Sequence, residues 1–147
     1  MSLLNKKAPN FTLPSTEGKN ISLSDYLNKK VLLVFYPGDD TPVCTKQLCS
    51  YASGFEDFTT KEIVILGINQ DNLESHKKFK EKHNLPFPLL SDTNGKICDE
   101  YGAKGLLGTK RATFIINESG IIIYEDFIFP FFFRDKKDIM KVLESKV

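Results

Sequence analysis

The chain has 147 residues, of which 41% are apolar and 27% are charged, and its formal net charge is +1. These values are typical of one globular domain with a single core, so we expect one domain over residues 1–147. A net charge near zero gives no basis for binding nucleic acid or a membrane surface, and no apolar run is long enough to span a bilayer.

The first predicted elements are short strands. Residues 10–27 predict an N-terminal β-hairpin around a turn at Gly18, followed by a helical turn that starts near Ser24. The next segment, KKVLLVFYP at residues 29–37, is a continuous apolar run that is too short for a core helix. It predicts a strand that is buried on both faces.

A β-α-β unit follows from the next two segments. Residues 41–58 predict a helix with Thr41 as its N-cap and Pro42 at its first helical position. Residues 61–71, KEIVILGINQD, predict a second buried strand. The unit implies a parallel pair of strands joined by a right-handed crossover.

The remaining elements complete the fold class. They are a helix at 72–85, a strand at 87–92, a short helix or turn at 95–103, a hairpin with strands at 111–117 and 121–126, and a terminal helix at 135–147. This order of elements predicts an α/β fold with a central mixed β-sheet that is flanked by helices on both sides.

The cysteine count indicates a reducing compartment. Cys44, Cys49 and Cys98 make an odd number, and the first residues lack the apolar core of a signal peptide, so we expect a cytoplasmic protein with a chemically used thiol. Together with His76 and His83 they are the available soft metal ligands. No pair has the C-x-x-C or H-x-x-x-H spacing of a metal site, so neither a metal nor another cofactor is predicted.

Cys44 is the best candidate for that reactive thiol. It follows the predicted N-cap Thr41 by three residues, so it lies in the first turn of a helix and at the carboxyl end of the strand Val31–Tyr36. The free N–H groups and the dipole of a helix N-terminus lower the pKa of a thiol, and α/β sheets bind their ligands at this edge. The alternative is a small buried apolar side chain, which the preceding Pro-Gly-Asp-Asp-Thr-Pro makes less expected.

The segment around Cys44 resembles the peroxiredoxin active-site signature Pro-x-x-x-Thr-x-x-Cys, which Pro37, Thr41 and Cys44 match. A second cysteine five residues later, Cys49, makes the segment similar to the Q-type branch of this family, also called the bacterioferritin comigratory protein group. The likeness continues through "LGINQDNLESHKKFKEKHNLPFPLLSD" and "RATFIINESGIII", and it covers about residues 5–125.

The resemblance implies a thioredoxin-like fold and the reduction of hydrogen peroxide and organic hydroperoxides. Cys44 would be the peroxidatic cysteine, and Cys49 would resolve its sulfenic acid as an intramolecular disulfide that thioredoxin or a similar dithiol protein reduces. Thr41 would orient the thiolate and the peroxide by accepting and donating hydrogen bonds. Pro37 would shield the pocket from water, and Arg111 would pair with the thiolate and polarise the O–O bond. We expect a monomer or a weak dimer.

Three features depart from that pattern or have a simpler explanation. We interpret Cys98 as a semi-buried structural thiol and His76 as a helix-surface or packing residue. The segment FIFPFFF at 127–133 is more apolar than in Q-type proteins. Its phenylalanines either fold back over the sheet or form an exposed patch that makes a dimer contact or lines the pocket.

Two other functions compete with a peroxidase. An oxidoreductase for protein disulfides would need a C-x-x-C motif, and it would need a proline before the strand TFIIN, where Arg111 and Ala112 stand instead. A redox sensor or holdase shares its first step with a peroxidase, so the sequence leaves this alternative open.

Overall fold

The computed structural model of the chain describes residues 2–106, 108–128 and 132–146. Its strands are β1 (Thr12–Pro14), β2 (Asn20–Ser22), β3 (Lys30–Phe35), β4 (Ile63–Asn69), β5 (Leu89–Ser91), β6 (Lys104–Gly105), β7 (Gly108–Thr109), β8 (Arg111–Ile116) and β9 (Ile122–Ile128). Its α-helices are α1 (Pro42–Ser53), α2 (Phe55–Thr60), α3 (Leu73–His83), α4 (Lys96–Glu100) and α5 (Lys136–Lys146), and a 3-10 helix spans Leu23–Tyr26. The predicted elements are confirmed except for the helix over residues 41–58, and the two-residue strands β6 and β7 are additional. Within the described residues, every helix is too short or too polar to cross a membrane.

A five-stranded mixed sheet forms the centre of the fold, with strand order β5-β4-β3-β8-β9. Strand β4 runs parallel to both β3 and β5, whereas β8 runs antiparallel to both β3 and β9. Strands β1 and β2 form the N-terminal hairpin that Gly18 predicts, and Gly18 adopts a positive φ of 78° in its turn. The prediction of a mixed sheet is therefore confirmed.

Strand β3 is buried on both faces, as its continuous apolar run predicts. Val31, Leu33 and Phe35 belong to one core layer, together with residues of β1, β2 and α4. The alternate residues of β3 belong to a second layer with α1, α2, α3 and α5. Because side chains alternate along a strand, β3 separates these two layers, and Cys44 lies in the second.

The predicted helix over residues 41–58 is two helices, which meet at Gly54. The Gly54 N–H donates to the carbonyl of Ser50 at the end of α1. A Cβ atom at Gly54 would lie 1.8 Å from Cδ of Lys136, so the stem of that lysine occupies the space above the glycine. A side chain at position 54 would therefore have to displace that lysine of α5.

The aromatic segment 127–133 can be compared with its prediction only at its ends, because residues 129–131 lie outside the described part of the chain. The ring of Phe127 packs edge-on against Phe114, with 5.7 Å between ring centroids, and yet Phe127 remains 45% exposed. Phe132 is 62% exposed. The described ends therefore show one ring that contacts the sheet and one that faces solvent.

Candidate active site

Cys44 lies in the first turn of α1, which begins at Pro42. Thr41 occupies the N-cap position, as predicted, with an extended backbone. Its side chain makes no capping bond to the helix, however, because Oγ1 donates to the carbonyl of Gly38 at 2.9 Å. Cys44 is 1% exposed, so its thiol lies next to the free N–H groups of the first turn and is shielded from water.

Arg111 reaches Cys44 because β8 begins where β3 ends. Phe35, the last residue of β3, pairs with Ala112, so Arg111 lies one residue beyond that end. Its Nη2 donates to Sγ of Cys44 at 3.1 Å, and Arg111 is itself only 2% exposed. A guanidinium in this position stabilises negative charge on the sulfur with little screening by water.

Gln47 of α1 holds that guanidinium and Tyr51 of the same helix holds Gln47, and sequence reasoning missed both. Nη1 of Arg111 donates to Oε1 of Gln47, whose amide nitrogen donates to the hydroxyl of Tyr51 at 3.0 Å. The Tyr51 hydroxyl donates in turn to the carbonyl of Arg134 at 2.5 Å, and burial raises the pKa of Tyr51, so it stays neutral. Gln47 and Tyr51 follow Cys44 by three and seven residues, a spacing that places all three on one helix face and could have identified them.

The loop between β3 and α1 is held by the carboxylate of Asp39. Its Oδ1 accepts from the Tyr36 hydroxyl at 2.7 Å, and its Oδ2 lies 2.7 Å from both Oγ of Ser75 and Nδ1 of His76. His76 is 0% exposed, so the prediction of a helix-surface position was wrong and that of a packing residue holds. The partner that buries it comes from a loop 37 residues earlier in the chain.

We expect Asp39 to make the stability of the protein depend on acid pH. Burial alone would raise the pKa of Asp39, but hydrogen bonds from His76, Tyr36 and Ser75 outweigh burial and place this pKa below its ordinary value of 3.8. A carboxylate with a depressed pKa contributes stability that is fully present above the unfolded-state pKa and is lost as the pH falls through the folded-state pKa.

Denaturant titrations of the wild type and Asp39→Asn measure this dependence. The difference between their unfolding free energies should be constant between about pH 5 and pH 6 and should shrink as the pH falls below about 4. A difference that is unchanged between about pH 3 and pH 6 would contradict the assignment of a charged, hydrogen-bonded Asp39.

The other two cysteines lie in different surroundings. Cys49 is partly exposed, and it packs against the same core layer as Cys44. Burial raises the pKa of Cys49, so its thiol stays protonated in the folded helix. Cys98 is fully buried in the opposite layer, where burial raises its pKa to about 12. Cys98 is thus more deeply buried than the predicted semi-buried thiol.

The structure brings together some of the predicted site residues and separates others. Cys44 and Arg111 are in contact, and Thr41 and half-buried Pro37 belong to the loop that leads into α1. Cys49 shares the helix with Cys44 but lies more than one turn farther along it. All three cysteines are free thiols.

Comparisons with known proteins identify a family and match the fold. The model of the AhpC/TSA family matches residues 4–125. Peroxiredoxin Bcp of Bacillus subtilis is 39% identical over 130 residues, which cover 83% of each chain. The chloroplastic peroxiredoxin Q of Oryza sativa subsp. japonica is 40% identical over 144 residues, which cover 94% of this chain and 65% of that protein. The crystal structure of a mutant of Xylella fastidiosa PrxQ has the same fold, with a TM-score of 0.85 and 24% identity over 98% of this chain and 94% of that one.

Proposed function

Since this chain belongs to the AhpC/TSA family and its relatives are peroxiredoxins, which are thiol peroxidases, we propose that Cys44 is the thiol that reduces the peroxide. One observation carries the proposal. Nη2 of Arg111 lies 3.1 Å from Sγ of Cys44, and both side chains are buried. A thiolate that pairs with a guanidinium at a helix N-terminus is the reactive form of cysteine at neutral pH.

The first step oxidises Cys44 by two electrons. The thiolate attacks one oxygen of a hydroperoxide, an S–O bond forms and the O–O bond breaks. Cys44 becomes a sulfenic acid, and the departing alkoxide or hydroxide takes up a proton. Negative charge develops on the departing oxygen, and donors aimed at that oxygen lower the barrier. The Arg111 guanidinium and the backbone N–H of Cys44 supply such donors.

The loop before α1 orients the peroxide in this proposal. Thr41 directs its one hydroxyl hydrogen to the carbonyl of Gly38, so its oxygen is left to accept a hydrogen bond from the peroxide. The task of donating to the thiolate then belongs to Arg111 rather than to Thr41. Pro37 presents no N–H group and shields the thiolate from water. The substrates are hydrogen peroxide and organic hydroperoxides.

The second and third steps return the enzyme to its thiol form. The thiol of Cys49 attacks the sulfenic sulfur of Cys44, so that an S–S bond forms and water leaves. Thioredoxin or a similar dithiol protein then exchanges its thiols with this disulfide and becomes oxidised itself. Such dithiol proteins are kept reduced in the cytoplasm, which is the compartment that we propose.

Turnover in the presence of a reductant tests the function. We expect the wild type to consume many equivalents of hydrogen peroxide when thioredoxin, its reductase and a reduced nicotinamide cofactor are supplied. A redox sensor would instead consume one equivalent of peroxide and then stop. The same arrest in a sample supplied with dithiothreitol would contradict a peroxidase.

Arg111→Ala should slow the reaction of Cys44 with peroxide by more than tenfold, a loss of at least ~1.4 kcal/mol of transition-state stabilisation. The substitution removes the charge that stabilises the thiolate and the departing oxygen. Arg111→Lys should recover only part of the rate, because an ammonium lacks the planar fork that contacts Cys44 and Gln47 together.

Stopped-flow mixing with peroxide and the ultraviolet absorbance of the thiolate measure the two effects. Lys110→Ala is the matched control, since it removes an exposed charge from the preceding residue. If the thiolate of Arg111→Ala titrates as in the wild type and reacts with peroxide at the same rate, the proposed role of this arginine is refuted.

A further inference from the structure

The buried ring of His76 has an acceptor at each of its two nitrogens. Nδ1 lies 2.7 Å from Oδ2 of Asp39, and Nε2 lies 2.9 Å from the backbone carbonyl of Leu90 in β5. One carboxylate oxygen and one carbonyl oxygen thus face the ring, placed as an imidazolium ion would need them. The side chains of His76 and Asp39 are 0% and 4% exposed, so water screens little of their interaction.

The surroundings of this pair are suited to holding it in one geometry. The ring centroids of Tyr36 and His76 are 6.4 Å apart. The Tyr36 hydroxyl donates to Oδ1 of Asp39, the carboxylate oxygen that His76 does not contact. Burial and the nearby Asp39 raise the pKa of Tyr36, so it remains a neutral donor. Ser75 donates to the same oxygen as His76. The Asp39 carboxylate thus accepts three side-chain hydrogen bonds, which compensate for its removal from water.

Asp39 connects this pair to the peptide group beside Thr41. The peptide between Gly38 and Asp39 is bonded at both ends. Its N–H donates to Oδ2 of Asp71 at 2.8 Å, and its carbonyl accepts from Oγ1 of Thr41 at 2.9 Å. The direction of the Thr41 hydroxyl therefore depends on how this peptide is turned, and the side chain of Asp39 restricts that turn.

We infer that His76 is a positioning residue of the peroxide site. Through Asp39 it holds the Gly38–Asp39 peptide, and so the Thr41 hydroxyl, in the orientation that receives the peroxide at Cys44. Without the imidazolium, the buried Asp39 carboxylate loses a charged donor, and the loop shifts to hydrate it. The inference rests on the proposed reaction of Cys44 with peroxide, but the charged state of His76 can be measured separately.

His76→Asn tests the role of the ring. We expect its single-turnover reaction with hydrogen peroxide to be at least about tenfold slower than that of the wild type. The thiolate absorbance of Cys44 should titrate as in the wild type, because the Arg111 contact is not touched. A merely structural role would lower stability without changing the rate of the folded enzyme.

His83→Asn is the matched control. It makes the same substitution in the same helix, and it removes a similar contact to the neighbouring loop residue Asp40, at 3.3 Å. The Asp40 side chain is half exposed, so this pair is weak, and the control should react at the rate of the wild type. If the reaction with peroxide slows as much in His83→Asn as in His76→Asn, a specific role for His76 is contradicted.

A double-mutant cycle and nitrogen-15 NMR complete the test. Asp39→Asn should slow the reaction as His76→Asn does, and the double variant should be no slower than the slower single variant, because the two residues act as a unit. In the wild type at neutral pH, both ring nitrogens of His76 should give the shifts of a protonated imidazole. This measurement stands even where a variant fails to fold.

The possible failures are distinct. A neutral His76 ring, additive losses in the cycle or an unchanged rate in His76→Asn would each overturn the positioning role. A wild type in which Cys44 forms no sulfenic acid would instead contradict the proposed function, whatever the state of the His76 ring.

Discussion

Replacing Cys44 by serine is expected to abolish peroxide turnover. The substitution keeps the shape of the side chain, but a serine hydroxyl remains protonated at neutral pH even beside a guanidinium, so the nucleophile is lost. The Arg111 contact and the helix N-terminus both remain. The variant should therefore fold and should still lack a measurable reaction with hydrogen peroxide under single-turnover conditions.

Cys98→Ser is the matched control for this loss. Cys98 belongs to the core layer on the other side of the sheet from Cys44, and burial raises its pKa to about 12, so its thiol is unreactive. Placing a hydroxyl there costs stability, on the order of 1 kcal/mol or more. The turnover per folded molecule should stay close to that of the wild type. Equal turnover in Cys44→Ser and the wild type would end the assignment of Cys44.

Cys49→Ser should lose thioredoxin-driven turnover while it still consumes one equivalent of peroxide. Five residues along an α-helix advance about 7.5 Å and turn about 140° around the axis. A disulfide needs Cα atoms within roughly 4.4–6.8 Å of each other and side chains that point together. Because Cys44 and Cys49 both lie within the intact α1, they can bond only after the helix opens between them.

Specific contacts must break when this helix opens. Gln47 would release Arg111, Tyr51 would release the carbonyl of Arg134, and Ser50 would release the N–H of Lys136, which it accepts at 2.9 Å. In the proposed reaction, formation of the sulfenic acid removes the negative charge on Cys44, so oxidation weakens a further contact of α1, the one between Cys44 and Arg111. Local opening of this extent lies within the range that native proteins reach by thermal fluctuation.

Mass spectrometry and amide exchange check the pairing and the opening. The oxidised wild type should contain a Cys44–Cys49 disulfide, and exchange protection across residues 41–51 should fall on oxidation. Cys49→Ser should stop at the sulfenic acid, over-oxidise readily and regain turnover only with an added small thiol. A Cys44–Cys98 or intermolecular disulfide as the main product would refute the pairing, and unchanged protection would refute the opening.

The sequence by itself determined most of the order of the elements and identified Cys44 as the candidate for the reactive thiol. The continuous apolar run of β3 predicts its burial on both faces, and Thr41-Pro42 predicts where α1 begins, because both patterns depend on residues close together in the chain. The motif Pro37, Thr41 and Cys44 indicated a peroxiredoxin for the same reason. The role of each site residue and the single domain over residues 1–147 stay predictions.

Only the tertiary structure decided which side chains meet. The register of β8 against β3 places Arg111 beside Cys44, a pairing that the resemblance implied but no local pattern predicts. The stem of Lys136 lies over Gly54, and Asp39 in the loop after β3 contacts the buried His76. Each of these contacts joins residues that lie at least 37 positions apart. Neither helical nor strand periodicity records such a contact, because periodicity fixes only the face on which a residue lies, whereas its partner depends on strand order and helix packing.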